Sequence, residues 1–194
     1  MGPREVEREE RDKRQEHARR EVVAMLGALE AHAHQAVELT QAALRDPRPG
    51  NLAFWRAFRA KIDDFRALVS LINLRLPGLE GARADALGQE FRRLDAAMLT
   101  LYVRTAGVHF RAMLDRAVLP LVAHDVLRPE LALLDEALAR LAGGEEASPR
   151  LAASATAARA DLEEVLRRVP ALPDFDEPDA PADPPRLAAR DGLQ

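Results

Sequence analysis

The chain has 194 residues, 47% apolar, 31% charged and only 4% aromatic, with a formal net charge of −4. This is enough apolar material for one domain with a real core, which excludes a globally disordered chain. With no cysteine there is no disulfide framework, thiolate nucleophile or thiolate metal site. The bias toward Ala, Leu, Arg and Glu favours helix throughout. The expected fold class is therefore all-α: an antiparallel bundle of four to five long heptad-patterned helices. It carries a charged N-terminal helical arm over 1–21, the bundle proper over 22–169, and a disordered acidic, proline-rich tail over 170–194.

Residues 4–21 hold seven basic and seven acidic side chains. Glu7–Arg11, Glu9–Lys13, Glu10–Arg14 and Glu16–Arg20 are acid-first pairs at i,i+4, each worth about 0.3–0.5 kcal/mol on a helix surface. Such a segment can be helical without packing on anything. Because every cation has an anion beside it, a basic arm for phosphates is not expected.

The apolar pattern starts at Val22. Val22, Leu26, Leu29, Ala33, Ala36, Thr40 and Ala43 step by 4-3-4-3-4-3 along one face of a first helix. Asp46, Pro47, Pro49 and Gly50 break it, and Asn51 can cap the next. The second helix repeats the step with bulky residues, Trp55, Phe58, Ile62, Phe65, Val69, Ile72 and Leu76, widened by Phe54, Leu68 and Leu71. Large side chains there suit the small ones of the first helix, and the short link makes the two antiparallel neighbours.

Pro77-Gly78 ends the second helix. The third shows Leu87, Phe91, Leu94, Met98, Leu101, Thr105 and Val108, overlapped by a second stripe of Leu99, Val103, Ala106, Phe110, Leu114 and Ala117. Between Met98 and Val108 only Arg104 is charged, so this stretch is expected to be covered on nearly all sides. Pro120 kinks or ends the helix. A fourth helix carries Leu131, Leu134, Leu138 and Leu141, closed by Gly143-Gly144. Ser148-Pro149 starts a fifth, with Leu151, Ala155, Ala158, Leu162, Val165 and Val169 on its seam. After Pro170 come six acids and two arginines, a net of −4, leaving the rest of the chain neutral. Without a one-signed basic face, nucleic acid is not an expected partner.

No catalytic or cofactor signature stands out, and no cofactor, metal ligand or catalytic residue is expected. None of the five histidines follows an acid by three residues, the spacing that di-iron bundles use. Glu30, His34 and Glu38 share one helix edge, but mixed polar flanks are ordinary in bundles. The only serines are Ser70, Ser148 and Ser154, and none has a base nearby in sequence. The stretch His124-Asp125-Val126-Leu127-Arg128-Pro129 resembles, over six residues, the phosphoacceptor helix of histidine-kinase dimerisation domains. The acid, the aliphatic residue and the proline fall in register. The arginine comes one place late, and Arg128 stands where that family has threonine. The resemblance implies an exposed imidazole at His124, held by a neighbouring carboxylate, as a phosphoacceptor.

The leading expectation is a non-enzymatic interaction or scaffold protein that self-associates or binds a protein partner through its heptad seams. The second and third helices carry more apolar face than one antiparallel neighbour can cover. Phe54, Trp55, Phe58, Leu68, Leu71, Leu99, Val103 and Phe110 are the candidate interface. The alternative is a peripheral coat: long amphipathic Ala/Leu helices resemble those of phasin-like granule proteins, which implies Phe54, Trp55 and Phe58 as surface anchors. The first twenty residues have no apolar core of a signal peptide, and the longest apolar stretch, 117–123, is too short for a membrane span. A cytoplasmic protein with no integral membrane segment is expected.

Overall fold

The computed structural model describes residues 3–45, 50–143 and 148–169. The expected acidic tail and the breaks at 46–49 and Gly144 lie outside these residues. Among those described there is no strand, and six helices follow one another: α1 (Pro3–Arg45), α2 (Leu52–Arg75), α3 (Ala82–Leu114), α4 (Ala123–Leu127), α5 (Glu130–Gly143) and α6 (Pro149–Arg168). A 3-10 turn, Leu76–Gly78, follows α2.

α1 runs unbroken from the charged arm into the bundle, 43 residues or about 65 Å of helix. Three of the four expected ion pairs are made along the arm: Glu9–Lys13 at 2.7 Å, Glu10–Arg14 at 3.3 Å and Glu16–Arg20 at 3.2 Å. The arm first meets the rest of the molecule where Gln15 Nε2 donates to the Gly78 carbonyl and Arg19 donates to that of Glu80. α2 starts where expected, its first turn capped by Asn51, whose side chain accepts from the Ala53 N–H at 2.9 Å. Gly50, just before this cap, has φ +71°. A Cβ there would lie 2.8 Å from Met113 Cγ, so only glycine lets the start of α2 approach the end of α3 so closely.

Side-chain pairs fix the directions. α2 lies antiparallel to α1, with Arg75 near Glu21 and Asp64 near His32. α3 runs the same way as α1: Glu80 meets Arg19 at one end, and Thr40 and Thr105 place their hydroxyls 3.4 Å apart near the other. α5 is antiparallel to α3 and parallel to α2, tied by Arg140–Asp95, Arg59–Glu130 and Arg66–Glu136. α6 returns alongside α3, with Arg111 paired to Asp161 and Arg159 to Asp135 of α5. The result is an antiparallel bundle whose consecutive long helices, α1, α2, α3, α5 and α6, alternate in direction.

The expected seams line one core. Val22, Leu26, Leu29 and Ala36 of α1 are buried, as are Trp55, Phe58, Ile62, Phe65 and Ile72 of α2. So are Ala155, Ala158, Leu162, Val165 and Val169 at the α6 end of the chain. One expectation for α3 needs correction. It ends at Leu114, six residues before Pro120, so Ala117 is exposed and takes no part in the second stripe. The end is held by side chains rather than by proline: Arg168 donates to the carbonyls of Leu114 and Arg116, satisfying acceptors that the last turn leaves open. The short α4 then fits between Pro120 and Pro129. Between Met98 and Val108 only Arg104 and Val108, the latter 57% exposed, are open to solvent, so this stretch is covered on nearly all sides as expected.

Candidate interaction surface

Inside the bundle α2, α3 and α5 meet at a polar cluster. Glu130, only 1% exposed, accepts from Arg59 Nε at 2.9 Å and from the Tyr102 hydroxyl at 3.0 Å. The Trp55 indole N–H is near enough to favour the carboxylate charge without reaching hydrogen-bond geometry. Burial pushes the Glu130 carboxyl up, and the Arg59 charge offsets this in part. Burial, and then the Glu130 charge, push the Tyr102 hydroxyl up as well. Removing one partner of such a buried pair costs about 3–5 kcal/mol, so the cluster ties three helices together. Beside it, His109 stacks on Trp55 at 4.7 Å between ring centroids and 22° between planes. Its Nε2 has no hydrogen-bond partner, and burial, followed by the Arg116 charge, pulls its pKa down to about 4.

The expected interface residues divide. Trp55, Phe58, Val103 and Phe110 are wholly buried, and Phe54, Leu68 and Leu99 are partly buried against the same core. The surplus apolar face of α2 and α3 is thus closed mainly within the chain, since those two helices touch three neighbours rather than one. Only Leu71, 51% exposed, lies open near the end of α2. His124 does sit beside a carboxylate, Nδ1 to Asp125 Oδ1 at 3.2 Å. Its side chain is 15% exposed, on a five-residue helix rather than on a long bundle helix. Glu30, His34 and Glu38 form no metal cluster, and among the described residues no group of three acids or histidines is placed to hold an ion.

What remains open is the groove between α1 and α3, on the side away from α2. Every seventh residue of α1 from Val23 runs Val23, Glu30, Val37, Leu44; every seventh of α3 from Leu87 runs Leu87, Leu94, Leu101, Val108. Val23, Val37, Leu44 and Val108 are exposed, and the three leucines of α3 are partly buried. The two stripes run in step. At one end Val23 and Ala24 share a cleft of about 530 Å³ with Ala86 and Leu87, rimmed by Glu16, Arg19, Arg20 and Arg83. At the other, Leu44 shares a cleft of about 360 Å³ with Leu101 and Val108, floored by Thr40, Thr105 and His109. Between them a Cβ at Gly27 would meet nothing within 4 Å. Elsewhere among the described residues, large exposed apolar side chains are confined to Val6, to Leu71 and Leu74 at the end of α2, and to Val118, Leu121 and Val122 before α4.

The α3 half of this groove is visible in the sequence as part of the heptad seam. The α1 half was missed, because Val23, Val37 and Leu44 flank the stronger Val22–Ala43 seam and are interrupted by Glu30. A seven-residue search on either side of the seam would find them. No helix among the described residues is long and apolar enough to cross a membrane. No protein-family model, curated protein or solved structure matches the chain.

Proposed function

We propose that the chain is a cytoplasmic, non-enzymatic interaction protein that receives an amphipathic protein helix in the groove between α1 and α3. One observation carries this reading: two parallel helices, in step, leave open or half-open apolar residues at seven-residue spacing, broken only at Glu30, while most other heptad positions are closed inside the chain. That spacing is what a facing helix needs to set side chains into holes between four residues. The stripe from Val23 to Leu44 covers about six helical turns, a span of about 30 Å, so the docked segment is long rather than a short anchor. A coat function through Phe54, Trp55 and Phe58 would instead require the bundle to open, since Trp55 is completely covered.

The test uses Val108→Asp, an exposed position where the change leaves the core intact. The unaltered chain is expected either to self-associate or to bind a synthetic helix with leucine at its a and d positions, followed by fluorescence anisotropy. Val108→Asp should weaken whichever occurs by about ten-fold or more, with its helical circular dichroism unchanged. A chain that does neither, or a variant that behaves like the parent, would sink the reading.

A further inference from the structure

We infer that the helices received by this groove are those of a second copy of the chain, α1 of each protomer lying over α3 of the other about a two-fold axis along the groove. This rests on the groove reading and adds the occupant. The argument is charge and register together. On the open face two acids of α1, Glu30 and Glu38, lie level with cations of α3; the cleft at Arg83 is mixed, since α1 brings Arg19 and Arg20 there beside Glu16. Arg93, clasped by Glu90 at 2.6 Å, feels the charge of Glu30 across the groove. Glu38, two residues before Thr40, is level with Arg104, one residue before Thr105, and the two threonine hydroxyls touch at 3.4 Å. Glu38 and Arg104 are both exposed, and neither has an ion-pair partner among the described residues.

A two-fold axis along the groove exchanges the edges and keeps the levels. Glu30 of α1 then faces the partner's Arg93 and Glu38 the partner's Arg104, each at its own level. The apolar stripes meet in the same register, Val37 over the partner's Leu101 and Leu44 over the partner's Val108, as an isologous contact requires. An axis across the groove would set α1 on α1 and α3 on α3 with the levels reversed, so Glu38 and Arg104 would lose the same-level partners that the first arrangement gives them.

Charge reversal distinguishes this from any pairing within one chain. The unaltered chain is expected to sediment as a dimer. Glu38→Arg alone and Arg104→Glu alone each place like charges opposite one another twice per dimer, and each should raise the dissociation constant by about ten-fold or more. An equimolar mixture of the two variants should recover dimer of near-parental affinity, because each interface then pairs opposite charges. A dimer indifferent to both single changes, or a mixture that recovers nothing, would overturn the arrangement. A chain that stays monomeric yet binds the synthetic leucine helix would overturn the second copy as occupant and leave the groove reading standing. Circular dichroism of both variants confirms that the fold is retained.

Discussion

His109 lies flat against Trp55 with almost no exposure, and its proton has a measurable consequence for folding. In the unfolded chain the imidazole takes up its proton near 6.5, whereas in the fold it does so only at about 4. Across that window the unfolded state holds more protons, so stability is fully present above pH 6.5 and falls as the pH drops toward 4. The full linkage corresponds to about 3 kcal/mol at about 1.4 kcal/mol per pH unit. Glu130 works in the opposite sense, since its raised carboxyl favours the fold at pH values below its folded pKa. Comparing one variant with the parent isolates the histidine. His109→Phe keeps an aromatic ring on Trp55, so its urea midpoint should change less than the parent's between pH 7 and pH 4.5. A parallel pH dependence in the two proteins would count against this assignment. The aromatic character of this site was visible in the sequence, where Trp55 and Phe58 hold heptad positions. His109 was not, because it sits between the two stripes of α3 and only the approach of α2 covers it.

At the scale of helices, α3 and α6 meet through small side chains. α6 presents Ala155 and Ala158, both without exposure, where α3 presents Ala106 and Gly107. A Cβ at Gly107 would stand 3.9 Å from that of Ala158, an ordinary contact. Gly107→Ala should therefore stabilise the protein by about 0.5–1 kcal/mol, through helix propensity and a less flexible unfolded chain. Ala158→Leu, which must fit a whole side chain into the same contact, should destabilise by about 1–3 kcal/mol. Thermal or urea unfolding of the pair checks both signs; a destabilised Gly107→Ala would mean that the helices are closer than this. The caps at Asn51 and Ser148 were legible because capping is local chemistry. The end of α3 was not, because the residue that terminates it, Arg168, lies 54 positions along the chain from Leu114.

Over the whole molecule, α1 changes character along its length. Before Gln15 the ion pairs Glu9–Lys13 and Glu10–Arg14 tie it to its own next turn, while from Val22 onward it is anchored in the core. Pairs of the first kind contribute only tenths of a kcal/mol and are screened by salt. Amide hydrogen exchange should show weak protection over residues 5–14, weaker still at high salt, and strong, salt-insensitive protection over 22–43. Uniform protection from end to end would show that the arm is held by something beyond its own charges.

Helix formation, the seams, the caps and the all-α class were determined by sequence alone, because propensity and seven-residue periodicity act within a few turns. Which apolar surface would remain open depended on the tertiary structure. Trp55, Phe58, Val103 and Phe110 look like surplus until α5 and α6 return to cover them, and Val23, Val37 and Leu44 look incidental until α1 and α3 align in step. Burial belongs to pairs of helices distant in the chain, and a periodic pattern on one helix cannot say which of its faces a later helix will reach.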